Sequence, residues 1–207
     1  MERIESAAAL SAFLLVVGAS CMSGVPEPAP RTEDLKKEIG QFVQIDEGIY
    51  RGAQPTAEDL RLLKQSGFRT VVSFRHEEDV IERERKEAEA LGLNFVNLPW
   101  RIQFHPRAGV MESFLNLMGQ KEEGPFFIHC RRGAERTGVA DAVYRHYYQK
   151  LSYEEAYRKA TEGFGIRFYW RPFMKIRYRD FVTELDRAGG FSVKDRENPA
   201  SGPSTKL

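Results

Sequence analysis

The stretch PFFIHCRRGAERTG, residues 125–138, constrains the fold more than any other part of the chain. Phe126 to Ile128 are apolar without alternation, so a strand here is buried on both faces, as in a parallel sheet covered by helices. Beyond Cys130 the pattern changes to RTGVADAVYRHYYQK, which reads as a helix. The neighbouring segments alternate in the same way. TAEDLRLLKQSG is a helix with Thr56 as N-cap, Asp59 at capping-box spacing and Gly67 as the stop. RTVVSF and LNFVNLPW are short strands, with the charged helix VIERERKEAEALG between them. The carboxylates of that helix read as a solvated face. Val110 to Met118, SYEEAYRKA and about Pro172 to Asp186 are further helices. Strand and helix in alternation predict an α/β single domain, with a central, mostly parallel sheet flanked by helices.

The cysteine sits where such folds bind ligands, just outside the carboxyl end of a buried strand. The loop from Arg131 to Arg136 can turn its backbone N–H groups inward, and the following helix N-terminus completes an anion cradle. Gly133 permits a positive φ or a close approach to the ligand. Gly138 lets the helix start pack tightly on the strand. The same N–H groups and dipole lower the pKa of Cys130 and populate the thiolate. Arg136 can hold two phosphoryl oxygens in a fork, which a lysine cannot. Its grip tightens as charge spreads over the equatorial oxygens. Thr137 can donate a hydrogen bond to the sulfur and so make it a better leaving group. Candidate phosphate-binding positions are Arg131, Arg132, Gly133, Ala134 and Arg136.

Composition narrows the partners. The 207 residues carry a formal net charge of +1, so no global field favours nucleic acid. The two cysteines, Cys21 and Cys130, make no disulfide framework. The four histidines form neither HExxH nor a pairing with CxxC, so no metal site and no cofactor is expected. Residues 1–23 hold an apolar run from Ala7 to Val17, interrupted by Ser11, followed by Gly18, Ala19, Ser20 and Cys21. That pattern suits an export signal, with Cys21 as a candidate lipidation site and membrane anchor. It predicts an exported protein, periplasmic or membrane-anchored, with a cytoplasmic location as the alternative. Residues 24–39, with GVPEPAPRTED, read as a linker, residues 40–188 as the catalytic domain and residues 189–207 as a disordered tail.

The loop HCRRGAERTG resembles the H-C-x5-R-[ST] phosphate loop of the protein-tyrosine phosphatase superfamily. Upstream, IYRGAQPTAEDLRLLKQSGFRTVVSFR resembles the opening of bacterial and fungal-type dual-specificity phosphatases, whose domains begin with a Tyr-Arg-x-x-Gln-Pro turn. The resemblance implies a metal-free, two-step mechanism through a cysteinyl-phosphate. In it Cys130 attacks phosphorus, His129 and Thr137 support the thiolate, and Arg136 with the loop amides binds phosphate. The implied substrates are phosphorylated proteins (phosphotyrosine or phosphoserine), phosphoinositides or inositol phosphates. The enzyme is expected to act as a monomer.

One element of the family pattern is missing. These phosphatases usually draw a general-acid Asp from the loop after the strand LNFVNLPW, and here that loop, RIQFHPRAG, has no carboxylate. Glu135 is the first candidate acid, with Asp79, Glu78 and His105 behind it. The missing Asp also keeps an inactive phosphate-binding module open as the alternative. Arg131 and Arg132 exceed what one phosphate needs, which suits a polyphosphorylated substrate or a plain basic rim. Arg75 can face the pocket or pair with the acids at 77–79. GFGIRFYWRPFMKIRYRDF mixes aromatics with basic residues. It can border the pocket, touch lipid headgroups or form one packed helix with snorkelling arginines.

Overall fold

In the computed structural model the described residues are 32–104 and 109–191. The apolar run, Cys21 and His105 therefore lie outside them, as does the tail beyond residue 191. The elements are α1 (Glu33–Glu38), β1 (Val43–Asp46), β2 (Ile49–Gly52), α2 (Ala57–Gln65), β3 (Thr70–Ser73), α3 (Glu78–Ala90), β4 (Asn94–Asn97), α4 (Val110–Met118), β5 (Phe126–His129), α5 (Glu135–Tyr147), α6 (Tyr153–Thr161) and α7 (Arg171–Arg187). The five strands form one sheet in the order β1-β2-β5-β3-β4. Only the β1–β2 pair is antiparallel. The fold is thus the α/β architecture that the alternating pattern predicts.

β5 lies at the centre, hydrogen-bonded to β2 on one side and β3 on the other. Its side chains alternate between two cores, as a strand with covered faces requires. Phe126 and Ile128 join a core built with α4, α5, α6 and α7. Phe127 joins the opposite core, with Leu35, Leu60, Leu63 and Ala88 from α1, α2 and α3. The capping box on α2 is present in full. Thr56 accepts from the Asp59 N–H, and Asp59 accepts from the Thr56 N–H.

Two expectations need correction. Residues 33–39 are not linker. They form α1 and its end, and Leu35 and Ile39 are buried in the second core. The prolines mark only the preceding stretch, and a six-residue helix with one apolar residue, Leu35, and Ile39 at its C-cap leaves little periodicity to read. The α3 face is not uniformly solvated either: Glu84 is buried at 3 % exposure. The β1–β2 hairpin, turning at Gly48 with φ +68°, had no counterpart in the pattern of the sequence.

Candidate active site

Cys130 follows β5 directly, and α5 begins at Glu135. Burial pushes the Cys130 thiol up. The positive charge of Arg136, the Thr137 hydroxyl and the backbone N–H groups of Thr137 and Arg132 outweigh it, so the pKa falls below the ordinary thiol value. The Thr137 hydroxyl is buried with no other hydrogen-bond partner to compete for it, and it is one of the groups that lower the thiol pKa.

The loop is shaped from outside by carbonyl contacts. The Arg131 carbonyl accepts from the Gln54 N–H at 3.5 Å. The Gly133 carbonyl accepts from Arg51 Nη2 at 2.7 Å, and the Ala134 carbonyl from the same nitrogen at 3.4 Å. In a trans peptide the C=O and the next N–H point in opposite directions. Three carbonyls turned outward therefore turn the N–H groups of Arg132, Ala134 and Glu135 inward, toward the cradle. Gly133 has φ +69°, and a Cβ there would stand 2.4 Å from the Gly52 carbonyl carbon. Its close approach is thus to the β2–α2 turn rather than to a ligand. Gly138 packs against Ala160 of α6, Met174 of α7 and the Arg51 side chain that reaches over from β2.

Arg51 is the residue that sequence reasoning missed. It is fully buried on β2. Nη1 donates to Asp141 Oδ2 and to the Ala160 carbonyl, both at 2.7 Å, while Nη2 serves the loop. The Phe164 ring lies 3.7 Å from its guanidinium carbon. Asp141 also accepts from Arg145 Nε at 2.7 Å. Burial lowers the pKa of Arg51 and the Asp141 charge opposes the shift; a guanidinium so paired stays charged. The signal in the sequence was a lone arginine in the apolar strand IYRG.

His129 is buried on the other side of β5. Its ring is stacked on Phe127, its Nε2 lies 2.7 Å from Glu84 Oε1, and its Nδ1 is 3.4 Å from the Cys130 carbonyl. Glu84 Oε2 accepts from Gln54 Nε2 at 3.1 Å. The Gln54 side-chain oxygen accepts from Arg75 Nη1, and Arg75 Nε donates to Glu77 at 2.9 Å. Burial raises the Glu77 pKa, but bonds from Arg75 and the His76 N–H overcome it and hold the group at about 2. Arg136 Nη1 donates to the Phe74 carbonyl at 2.8 Å and meets His76 Nδ1 at 3.0 Å. Burial lowers the His76 pKa, and the charge of Arg136 adds to the shift. The ring is therefore neutral near pH 7 and accepts from the arginine.

Glu135 stands at the start of α5, buried, with Oε1 held by Arg132 Nη1 at 3.3 Å and Arg167 Nε at 3.2 Å. Arg132 Nη2 also donates to the Gly165 carbonyl at 3.1 Å. Glu135 and Arg132 therefore clamp the loop to the 163–170 segment. Arg132 is only half-exposed, whereas Arg131 is exposed at the rim. Glu78 and Asp79 are exposed at the start of α3.

The comparisons with known proteins agree with this geometry. The family described as DSP-PTPase phosphatase fused to NAD+ kinase matches residues 30–166. The dual specificity protein phosphatase TpbA of Pseudomonas aeruginosa (strain UCBPP-PA14) is 28 % identical over 164 residues, covering 78 % of this chain and 72 % of that one. The probable chloroplastic NAD kinase 2 of Oryza sativa subsp. japonica is 26 % identical over 159 residues, 75 % of this chain but 15 % of that protein. The crystal structure of P. aeruginosa TpbA superposes with a TM-score of 0.55 at 25 % identity, over 74 % of this chain and 99 % of that chain.

Proposed function

We propose, because this chain belongs to the DSP-PTPase phosphatase family, that it hydrolyses aryl phosphate monoesters of the phosphotyrosine type through a cysteinyl-phosphate. The observation that carries the reading is Cys130 itself, buried at the end of β5 with its pKa lowered by Arg136, Thr137 and loop N–H groups. A thiolate there attacks phosphorus in line with the leaving oxygen. The inward N–H groups of Arg132, Ala134 and Glu135, with the Arg136 fork, hold the three equatorial oxygens as charge builds on them. Water then attacks the phosphoryl group on sulfur, and the Thr137 hydroxyl stabilises the departing thiolate.

The leaving group decides between substrate classes. Among the described residues the carboxylate nearest the loop in sequence, Glu135, is occupied by two guanidiniums. A phenolate leaves with little help, whereas a serine or inositol alkoxide needs a proton in the transition state. The same clamp takes Arg132 out of service as an extra phosphate ligand, which favours a single-phosphate substrate. In keeping with this, a cysteine-to-serine variant of TpbA, 24 % identical, has been crystallised with phosphotyrosine.

The test is Cys130→Ser. Turnover of an aryl phosphate should vanish while phosphopeptide binding stays measurable, because a serine alkoxide is not available near neutrality without a base. Wild-type enzyme, acid-quenched during turnover, should carry one phosphoryl group on Cys130 by mass spectrometry. Activity in Cys130→Ser, or dependence on a chelatable metal, refutes the covalent path. We also propose, from the apolar run and Cys21, that the enzyme is exported and anchored. Full-length protein with Met1 in the cytoplasm of its host would refute that.

A further inference from the structure

Helix α7 is apolar on two opposite faces over its first two turns. Met174, Tyr178, Phe181 and Leu185 are buried in the core, as the inner stripe of a helix should be. Pro172, Phe173 and Ile176 lie on the opposite side and are exposed. The 3-10 turn just before the helix adds Phe168, at 82 % exposure, and Tyr169, at 46 %. Solvent-facing positions further along are polar: Arg179, Thr183, Glu184 and Arg187. The outer apolar surface is therefore confined to residues 168–176.

Charge in the same stretch is one-sided. Residues 163–179 contain Arg167, Arg171, Lys175, Arg177 and Arg179, and no Asp or Glu. Arg177 is engaged by Asp180 at 3.1 Å, and Arg167 by Glu135. Arg171, Lys175 and Arg179 are exposed; Lys175 pairs with Glu154 at 3.4 Å in the open, and Arg179 is within 4.0 Å of Asp180 while itself remaining exposed. Exposed pairs of that kind hold their cations weakly. The patch is joined to the catalytic loop, because Arg167 bonds Glu135 and Arg132 bonds the Gly165 carbonyl.

We infer that residues 168–179 form a peripheral docking surface for an anionic lipid bilayer, and that docking brings the catalytic loop to the membrane surface. Phe168, Tyr169 and Phe173 stand out from a turn and a helix face, a shape suited to insertion among headgroups, while Pro172, Lys175, Ile176 and Arg179 line a groove beside them with Tyr153. Phenylalanine, tyrosine and tryptophan side by side with arginine and lysine are the side chains that partition to that interface. The charge complements an anionic surface, and each cation near it adds to binding.

The experiment uses the full chain with vesicles of phosphatidylcholine alone or mixed with phosphatidylglycerol. The protein has two tryptophans. Trp100 is buried in the core, while Trp170 is half-buried at its edge and packs against Tyr169 and Phe173 in the patch. Brominated acyl chains in the mixed vesicles should quench Trp170 emission, the quenching should disappear in Trp170→Phe, and added salt should weaken it. Phe168→Ser with Phe173→Ser should cut partitioning onto mixed vesicles by about tenfold or more, from the apolar area removed. Turnover of a soluble aryl phosphate should remain at the wild-type value in that double variant. The inference is overturned if the double variant partitions like wild type, if pure phosphatidylcholine binds equally well, or if Trp170 is not quenched. Capture of a soluble acidic protein by the patch without any vesicle response would overturn it in favour of protein docking. Loss of soluble turnover in the double variant would assign these side chains to the site instead.

Discussion

Arg51→Lys tests whether the phosphate loop is held in shape from beneath. The substitution keeps the charge opposite Asp141 and removes the planar fork. Arg51 joins the Asp141 carboxylate and the carbonyls of Ala160, Gly133 and Ala134. One ammonium near Asp141 cannot span them all. Losing two charge-assisted bonds in a fully buried site, at about 1.5–3 kcal/mol each, gives a cost of about 4 kcal/mol. For a domain of this size that is a fall in Tm of about 8–16 °C. Catalysis should suffer separately. With the Gly133 and Ala134 carbonyls released, the Ala134 and Glu135 N–H groups lose their inward aim, and one misplaced donor costs on the order of a hundredfold in kcat. The assay is kcat/KM on an aryl phosphate below the unfolding transition, beside alkylation of Cys130 at pH 6. Turnover should fall at least about a hundredfold while alkylation changes little, since Arg136 and the charge near the thiol are retained. A variant with lower Tm and wild-type kcat/KM would mean that Arg51 only fills the core. A variant unchanged in both would refute the network.

Alkylation of wild-type Cys130 against pH should show a midpoint below the ~8.5 of a free thiol, and Thr137→Val should move it up. Because its folded pKa is depressed, Cys130 adds stability that is fully present above the unfolded thiol pKa and is lost as pH falls through the folded value. Urea midpoints should follow that sign, and Cys130→Ala should remove it. Gly133→Ala meets both a positive φ and the Gly52 backbone; it should cost about 2–4 kcal/mol in urea unfolding, with turnover falling in parallel. Glu135→Gln should lower kcat/KM on nitrophenyl and alkyl phosphates by similar factors, as expected of a clamp. A loss of about a hundredfold confined to alkyl phosphates would restore Glu135 as general acid.

The site is half legible in the sequence because half of it is contiguous. Cys130, Thr137 and Arg136 lie on one loop and helix start, and strand-to-helix geometry alone brings them together. Arg51, Gln54 and Glu84 reach the loop from β2, the β2–α2 turn and α3, and no local spacing connects them to residue 130. Glu84 misled for a definite reason. It sits among eight other acidic and basic residues of α3, and which turn of a charged helix faces inward depends on a partner on another element, here His129 on β5. The α1 helix is not legible because its helical signal is Leu35 alone with Ile39 at the C-cap, and their burial depends on Phe127 and Leu60 far along the chain.

What the fold adds to the motif is a division of labour across β5. On one face Arg51 and Asp141 fix the backbone of the cradle; on the other, His129, Glu84, Gln54 and Arg75 form a polar line leading to Glu77, beside His76. Arg136 stands between, with one nitrogen committed to the Phe74 carbonyl and to His76. A phosphate entering the cradle therefore competes with a neutral histidine and a carbonyl, not with a carboxylate. That competition is weak, because a dianion gains far more from a guanidinium than a neutral acceptor does. Had Glu77 taken the place of His76, the arginine would be tied to a charge already in the site. The pairing of Glu77 with Arg75 instead leaves the charge of Arg136 beside the Cys130 thiol and, in the proposed mechanism, free to meet a phosphoryl group.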